Sequence, residues 1–151
     1  MMIHDESRLV RAQRRVELAQ TFAEDARRMV GVLDAQSRIM TAALEKLRRD
    51  NASPREIAAQ AACMASFAAM MTQAAANLRK SHAGAREDLA ELEDLRRLDP
   101  DLAASLRAAV TTLGESCRAV TRCSESLERC LENGARRANR FWQDAAGAMP
   151  H

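Results

Sequence analysis

The chain has 151 residues and is poor in the residues that build sheets and turns, with three Phe, one Trp, no Tyr, five Gly and three Pro. Sheet proteins need β-branched and aromatic residues separated by Gly and Pro turns. The composition therefore excludes them and predicts a single all-α domain over 1–151. The 23 basic and 21 acidic side chains give a formal charge of +2, which by itself indicates neither a nucleic-acid nor an acidic partner.

The first predicted helix spans roughly 5–49 and carries a seam, a line of positions that step alternately by three and four residues. Eleven of its twelve seam positions are apolar, which is typical of coiled-coil-like heptad packing. The positions are Leu9, Ala12, Val16, Ala19, Ala23, Ala26, Val30, Leu33, Ser37, Met40, Leu44 and Leu47. Phe22, Met29, Val32 and Ile39 lie beside this seam. A face of that width favours contact with two neighbours, or with a second chain that completes a larger bundle.

Four arginines near the start of this helix form a candidate contact for phosphates. Arg8, Arg11, Arg14 and Arg15 lie within eight residues that contain no acidic side chain. Such a stripe predicts a weak accessory nucleic-acid surface, although most charged helix ends are simply solvated.

The second predicted helix spans 54–97 and begins with a strong local signal. Ser53 is a predicted N-cap, Pro54 takes the first helical position, and Glu56 completes a capping box. The 22 residues from Ile57 to Leu78 carry no charge, a length that could cross a bilayer. Because this stretch is rich in Ala and interspersed with amides and hydroxyls, it favours a central helix covered by its neighbours.

His82 is the one polar residue in the seam of the second helix. A lone polar seam residue commonly fixes helix register, and a histidine there is also a candidate pH switch. A bundle that presents one histidine resembles the histidine phosphotransfer family, in which a lysine and a glycine follow the histidine at helical spacing. The sequence Ser81-His82-Ala83-Gly84-Ala85-Arg86 has no such lysine and places its glycine too close, so register is the favoured role.

The third predicted helix spans 100–133, with Asp99 as its N-cap and Pro100 at the first helical position. Asn133-Gly134 predicts a C-terminal cap, followed by a short helix over 135–146. That short helix carries a candidate interaction cluster of cations beside aromatics, which is typical of an interfacial anchor. Its residues are Arg136, Arg137, Arg140, Phe141 and Trp142.

Three seams joined by short connections predict an elongated antiparallel bundle of three long helices. A break near Gly84 would divide the second helix and give four.

The sequence shows no motif for catalysis or for a cofactor. Cys123 and Cys130 lie two helical turns apart, too far for a disulfide or a shared zinc within one helix. The cysteines Cys63, Cys117, Cys123 and Cys130 are therefore expected to be small buried hydrophobes, or, in the sharper alternative, Cys123 or Cys130 pairs across a homodimer. The sequence has no phosphate loop, nucleophile elbow or paired Glu-x-x-His motif. It predicts no enzyme, no cofactor and no metal.

The favoured function is a non-enzymatic helical interaction protein, a scaffold, adaptor or small chaperone that self-associates through its apolar faces in the cytoplasm. The alternative is an amphipathic coat on a lipid or polymer granule. The cap Ser53-Pro54-Arg55-Glu56-Ile57 and the Ala-rich helix after it are loosely similar to phasins, the coat proteins of polyester storage granules. This resemblance is confined to the second helix and rests on no diagnostic motif.

Overall fold

The protein is a bundle of three helices in a computed structural model that describes residues 2–93 and 99–148. The helices are α1 (Met2–Arg49), α2 (Pro54–Leu92) and α3 (Pro100–Ala148), and the described ranges contain no strand. At 1.5 Å per residue, α1 and α3 are each about 70 Å long and α2 is about 60 Å long. The predicted all-α bundle is thereby confirmed.

Side-chain contacts fix the directions of the three helices. Arg15 in α1 pairs with Asp88 near the end of α2, so these two helices run antiparallel. Thr72 in the middle of α2 meets Ser124 in α3 at 3.1 Å between hydroxyl oxygens, whereas His82 lies over Gly114. Because the residue number falls in α3 as it rises in α2, these helices are also antiparallel, and α1 and α3 are parallel.

The turn between α1 and α2 is closed by hydrogen bonds from both sides. Asn51 takes a left-handed conformation with φ of 53°, and the N–H of Ala52 donates to the carbonyl of Leu47 at 2.9 Å. This is the Schellman pattern that ends a helix. On the other side, Ser53 Oγ accepts from the N–H of Glu56 at 3.2 Å, which confirms the predicted N-cap.

The start of α3 is capped as predicted. Asp99 Oδ1 accepts a hydrogen bond from the N–H of Leu102 at 3.0 Å, and Pro100 is the first helical residue. The predicted end of the second helix at 97 lies outside the described residues, since α2 is described to Leu92 and 94–98 are not described.

The core combines many small side chains with a few large ones. All predicted seam positions of α1 are buried or half-buried. The small members bring the helix axes close, and larger side chains fill the remaining space. The largest fully buried side chains are Leu44, Met64, Met71, Leu106, Leu113, Leu127, Val16 and Val120. Two buried serines are satisfied, since Ser37 Oγ donates to the carbonyl of Leu33 and Ser124 Oγ to that of Ala68.

The predicted helix boundary at Asn133-Gly134 is wrong. α3 runs without interruption through Gly134 to Ala148, so the separate helix over 135–146 is the last part of α3. Gly134 has no positive φ, and a Cβ at this position would overlap Nη2 of Arg48 from α1. The glycine therefore makes room for a side chain of another helix, and it does not cap its own.

The alternative of four helices is likewise not what the structure shows. α2 continues through Gly84, which is exposed and has no neighbour within 4 Å of the position of a Cβ.

None of the described helices is long and apolar enough to cross a membrane.

Replacing Gly134 by alanine distinguishes a helix interior from a cap. Because Arg48 meets position 134 only with the end of its flexible side chain, we expect Gly134→Ala to raise the free energy of unfolding by up to about 1 kcal/mol. Gly84→Ala is the matched control and should give a similar gain. Urea unfolding followed by circular dichroism measures both. A loss of stability confined to Gly134→Ala, and still present when Arg48 is also replaced by alanine, would contradict a continuous α3.

Candidate functional site

His82 packs against a glycine of the neighbouring helix. A Cβ at position 114 would lie 3.1 Å from His82 Nε2 and 3.5 Å from Cδ2, so the half-buried ring occupies the space left by Gly114. Glycine in a helix interior costs about 1 kcal/mol relative to alanine. The sequence nevertheless has glycine at position 114, where the imidazole ring of His82 packs against α3. This contact fits the predicted register role for His82, although the sequence alone did not indicate Gly114 as its partner.

The surroundings of His82 favour its neutral form. Burial lowers the pKa of the ring below its ordinary value of 6.5, and the guanidinium groups of Arg86 and Arg118 lower it further. A charged ring would lose hydration and face two like charges. The folded protein therefore makes this ring harder to protonate than a free imidazole.

The predicted phosphate stripe at the start of α1 is partly neutralised. Arg8, Arg11 and Arg15 line a cleft of about 170 Å³ together with Asp88 and Glu91 of α2. Arg15 Nη1 pairs with Asp88 at 3.3 Å and also pairs with Glu91. Two carboxylates at the cleft oppose an incoming phosphate, so the structure favours a helix-to-helix ion pair for Arg15.

The pKa values at this cleft follow from the same contacts. The hydrogen bond to Glu91 and the charge of Asp88 raise the pKa of Arg15. Burial raises the pKa of Asp88 above its ordinary value, and Arg15 opposes this effect only in part. Arg14, the fourth arginine of the predicted phosphate stripe, is exposed and lies about 100° around the helix axis from Arg15.

The predicted cluster near the end of α3 is only partly described. Arg136, Arg137 and Arg140 are exposed on α3. Phe141 and Trp142 belong to the same helix, but their side chains lie outside the described part of the chain, so their predicted contact is not tested.

A long groove between α1 and α3 was not predicted. Its first part has a volume of about 640 Å³, and its second part, of about 580 Å³, shares Thr41, Glu45 and Ser126 with the first. The charged residues that line the two parts are Asp34, Arg38, Glu45, Arg48, Arg49, Arg122, Arg129 and Arg137. Six arginines against two carboxylates give this groove a formal charge of +4, more than the whole chain carries.

The cysteines are free thiols. Cys117 is buried and its Sγ donates to the carbonyl of Ala75 at 3.5 Å. Cys123 Sγ lies 3.7 Å from Asp34 Oδ1 in the groove, and burial followed by the Asp34 charge raises the pKa of this thiol. Cys63 is exposed and Cys130 half-buried, so the expectation of buried cysteines is right for Cys117 and wrong for Cys63.

No group of three metal-ligating side chains occurs among the described residues.

A stripe of apolar side chains remains uncovered along α1. We call it the α1 stripe and define it by Leu18, Phe22, Met29, Val32 and Ile39. Met29 is half-buried, and the other four are exposed by 54% (Leu18), 44% (Phe22), 68% (Val32) and 62% (Ile39). The face that was expected to meet two neighbours therefore contacts the core along only part of its width.

Comparison with known proteins finds no match: no family model, no curated protein and no solved structure matches this chain. Its function must be inferred from the surfaces of the bundle.

The pKa of His82 predicts a pH dependence of stability. Because folding lowers this pKa, the contribution of His82 is complete above pH 6.5, the unfolded value, and is lost as the pH falls below it. The free energy of unfolding should therefore fall more for the parent than for His82→Gln between about pH 7.5 and about pH 5.5. Chemical unfolding at several pH values measures the difference, in which the other titrating groups cancel. Parallel profiles would refute the assignment.

Proposed function

We propose that this protein is a non-enzymatic helical interaction protein, a scaffold or adaptor that self-associates through the α1 stripe. The observation that carries this proposal is the spacing of the exposed side chains. Single exposed hydrophobic residues are normal on a protein surface. Here they recur at intervals of three, four or seven residues along one helix, and from Leu18 to Ile39 they extend over about 30 Å.

The α1 stripe lies beside the buried face of α1 and extends the apolar surface of this helix onto its exposed side. Leu18 directly precedes buried Ala19, Phe22 precedes Ala23, and Val32 precedes Leu33. An additional helix seated there would contact side chains that α2 and α3 leave exposed. Asp25 and Gln36 interrupt the stripe at two of its seven heptad-spaced positions, and such polar positions set the alignment of paired helices.

A second copy of the same chain is the partner that the stripe fits best. A two-fold axis places the same patch on both subunits, and two α1 stripes would cover each other along their whole length. The predicted heptad packing would then continue from the bundle into the dimer contact. The cytoplasm is the compartment in which we propose that this assembly acts.

Charged substitutions on the α1 stripe test self-association. Val32→Glu with Ile39→Glu places two carboxylates on exposed positions, so the monomer should keep its helicity and lose no more than about 0.5 kcal/mol per site. We expect the parent to show a mass that rises with concentration in sedimentation equilibrium, and the double variant to remain a monomer.

The matched control for this experiment is Val10→Glu. Val10 is also an exposed apolar residue of α1, but it lies outside the stripe, and its replacement should leave the mass unchanged. A parent that stays monomeric at every concentration would exclude the proposed self-association.

A granule coat is the second candidate, and one observation favours it. The exposed surface of α2 has no charge between Glu56 and Arg79, and it includes the exposed side chain of Met70. An uncharged helix face of this kind suits a weakly polar surface.

Flotation with neutral lipid vesicles tests the coat candidate. The parent should float with the vesicles, Met70→Glu should stay in solution, and Thr111→Glu, at an exposed position of α3, should behave as the parent does. If the parent itself does not float, this candidate is excluded and the proposed scaffold is unaffected.

A further inference from the structure

We infer that the groove between α1 and α3 binds the phosphate backbone of single-stranded nucleic acid through Arg48, Arg49, Arg129 and Arg137. This inference is independent of the proposed self-association, because it concerns the other side of α1. The groove residues Asp34, Arg38 and Glu45 directly follow the buried residues Leu33, Ser37 and Leu44. The residues of the α1 stripe directly precede buried or half-buried residues. Two ligands could therefore occupy the two sides at once.

The four arginines are available for an anionic ligand. In the described part of the chain, none of them has a carboxylate within 4.0 Å, whereas Arg15 pairs with Asp88 and Glu91 at the other end of the bundle. Arg38 is also engaged, since its Nε lies 3.2 Å from Asp34 Oδ2. Four arginines with no described carboxylate within 4.0 Å are thus gathered at one end of the groove.

Stabilisation of the helix end does not account for this cluster. Basic side chains in the last turn of a helix interact favourably with its dipole, and this explains Arg48 and Arg49 at the end of α1. Arg129 and Arg137 lie in the interior of α3, where the dipole offers no such reason. They nevertheless line the same space as the α1 arginines.

Gly134 positions one of these cations within the groove. The guanidinium of Arg48 lies where the Cβ of any other residue at position 134 would be. The half-buried Arg48 side chain therefore crosses from α1 to α3 beside Arg137 and does not extend into bulk solvent. Gly134 therefore leaves room for Arg48 at the wall of the groove that Arg129 and Arg137 also line.

The chemistry of the lining favours a polyanion over an acidic peptide. A docked peptide draws much of its affinity from apolar anchors, but the uncharged residues of the groove are mostly small or polar. They include Ser37, Thr41, Ala42, Ala119, Ser126 and Asn133. Leu127 is buried and Val30 half-buried. Binding here must therefore depend on charge, as in sequence-independent contact with nucleic-acid backbones.

The shape of the groove favours a single strand. Its arginines from Arg122 to Arg137 extend over about 22 Å of α3, which suits a row of phosphates better than one isolated ion. A flat bilayer cannot enter a concavity between two helices and reach half-buried Arg48. A positively charged groove that follows one backbone is the usual site for single strands.

The decisive experiment measures fluorescence anisotropy of a labelled oligothymidylate of about 20 nucleotides with the full chain, in salt from about 50 to about 200 mM. Four phosphate contacts predict that the logarithm of the association constant K falls with the logarithm of the salt concentration with a slope of about −3. Arg129→Gln with Arg137→Gln should weaken binding about tenfold at low salt and make the slope shallower by about 1.4. Both residues are exposed, so helicity should be retained.

The matched control is Arg8→Gln with Arg11→Gln, which removes the same charge from the other end of the bundle. It should bind the oligonucleotide as the parent does. Equal losses in the two double variants would show that only net charge matters and would overturn the proposal. Failure of the parent to bind at low salt, or stronger binding to phosphatidylserine vesicles or polyglutamate than to the oligonucleotide, would also overturn it.

Discussion

The close approach of three helices along small buried side chains is the interaction on which the rest of this structure depends. Ala12, Ala19, Ala23 and Ala26 form the first half of the buried face of α1, and buried alanines of α2 and α3 belong to the same core. Small side chains allow short distances between helix axes, and the large core residues then fill the remaining space. Because this contact covers only a narrow face of α1, the residues on either side of that face remain exposed and can contact a partner.

The two sides of α1 consequently have different chemistry. The side that carries the α1 stripe presents apolar residues, which favour contact with another helix. The side that faces the groove presents arginines and hydroxyls, which favour an anion. Since one helix supports both surfaces, a chain that associates through the stripe would display its arginine grooves outward from the dimer. Repetition of a weak electrostatic site within one assembly strengthens binding without new contacts.

Local signals in the sequence were sufficient for the helices and for two of their caps. The caps at Ser53 and Asp99, and the burial of the positions predicted along α1, depend on residues within a few positions of each other, so spacing and periodicity predict them. Gly134 shows where this approach fails. In sequence it resembles a helix end, but its role is set by Arg48, which lies 86 residues earlier in the chain.

The candidate sites depend even more on pairing between distant segments. The contact of His82 with Gly114, and the neutralisation of Arg15 by Asp88 and Glu91, join helices whose alignment no local pattern defines. The charge of the groove also depends on pairing between distant segments. A net charge of +2 spread along the chain gave no reason to expect a partner, whereas folding brings six arginines into one groove, and among the described residues only Arg38 pairs with a carboxylate there, that of Asp34.

The proposed pairing of two copies through the α1 stripe is tested most directly by a distance between spin labels. Val32→Cys places a label near the middle of the stripe in a variant that lacks Cys63, Cys117, Cys123 and Cys130. Contacting helices have axes about 8–10 Å apart, so labels at position 32 should give a short distance between chains for either orientation of the pair. Labels at Val10→Cys should give a long distance if the two α1 helices pair antiparallel and a short one if they pair parallel, which identifies the orientation. A short distance at position 10 with none at position 32 would contradict this account.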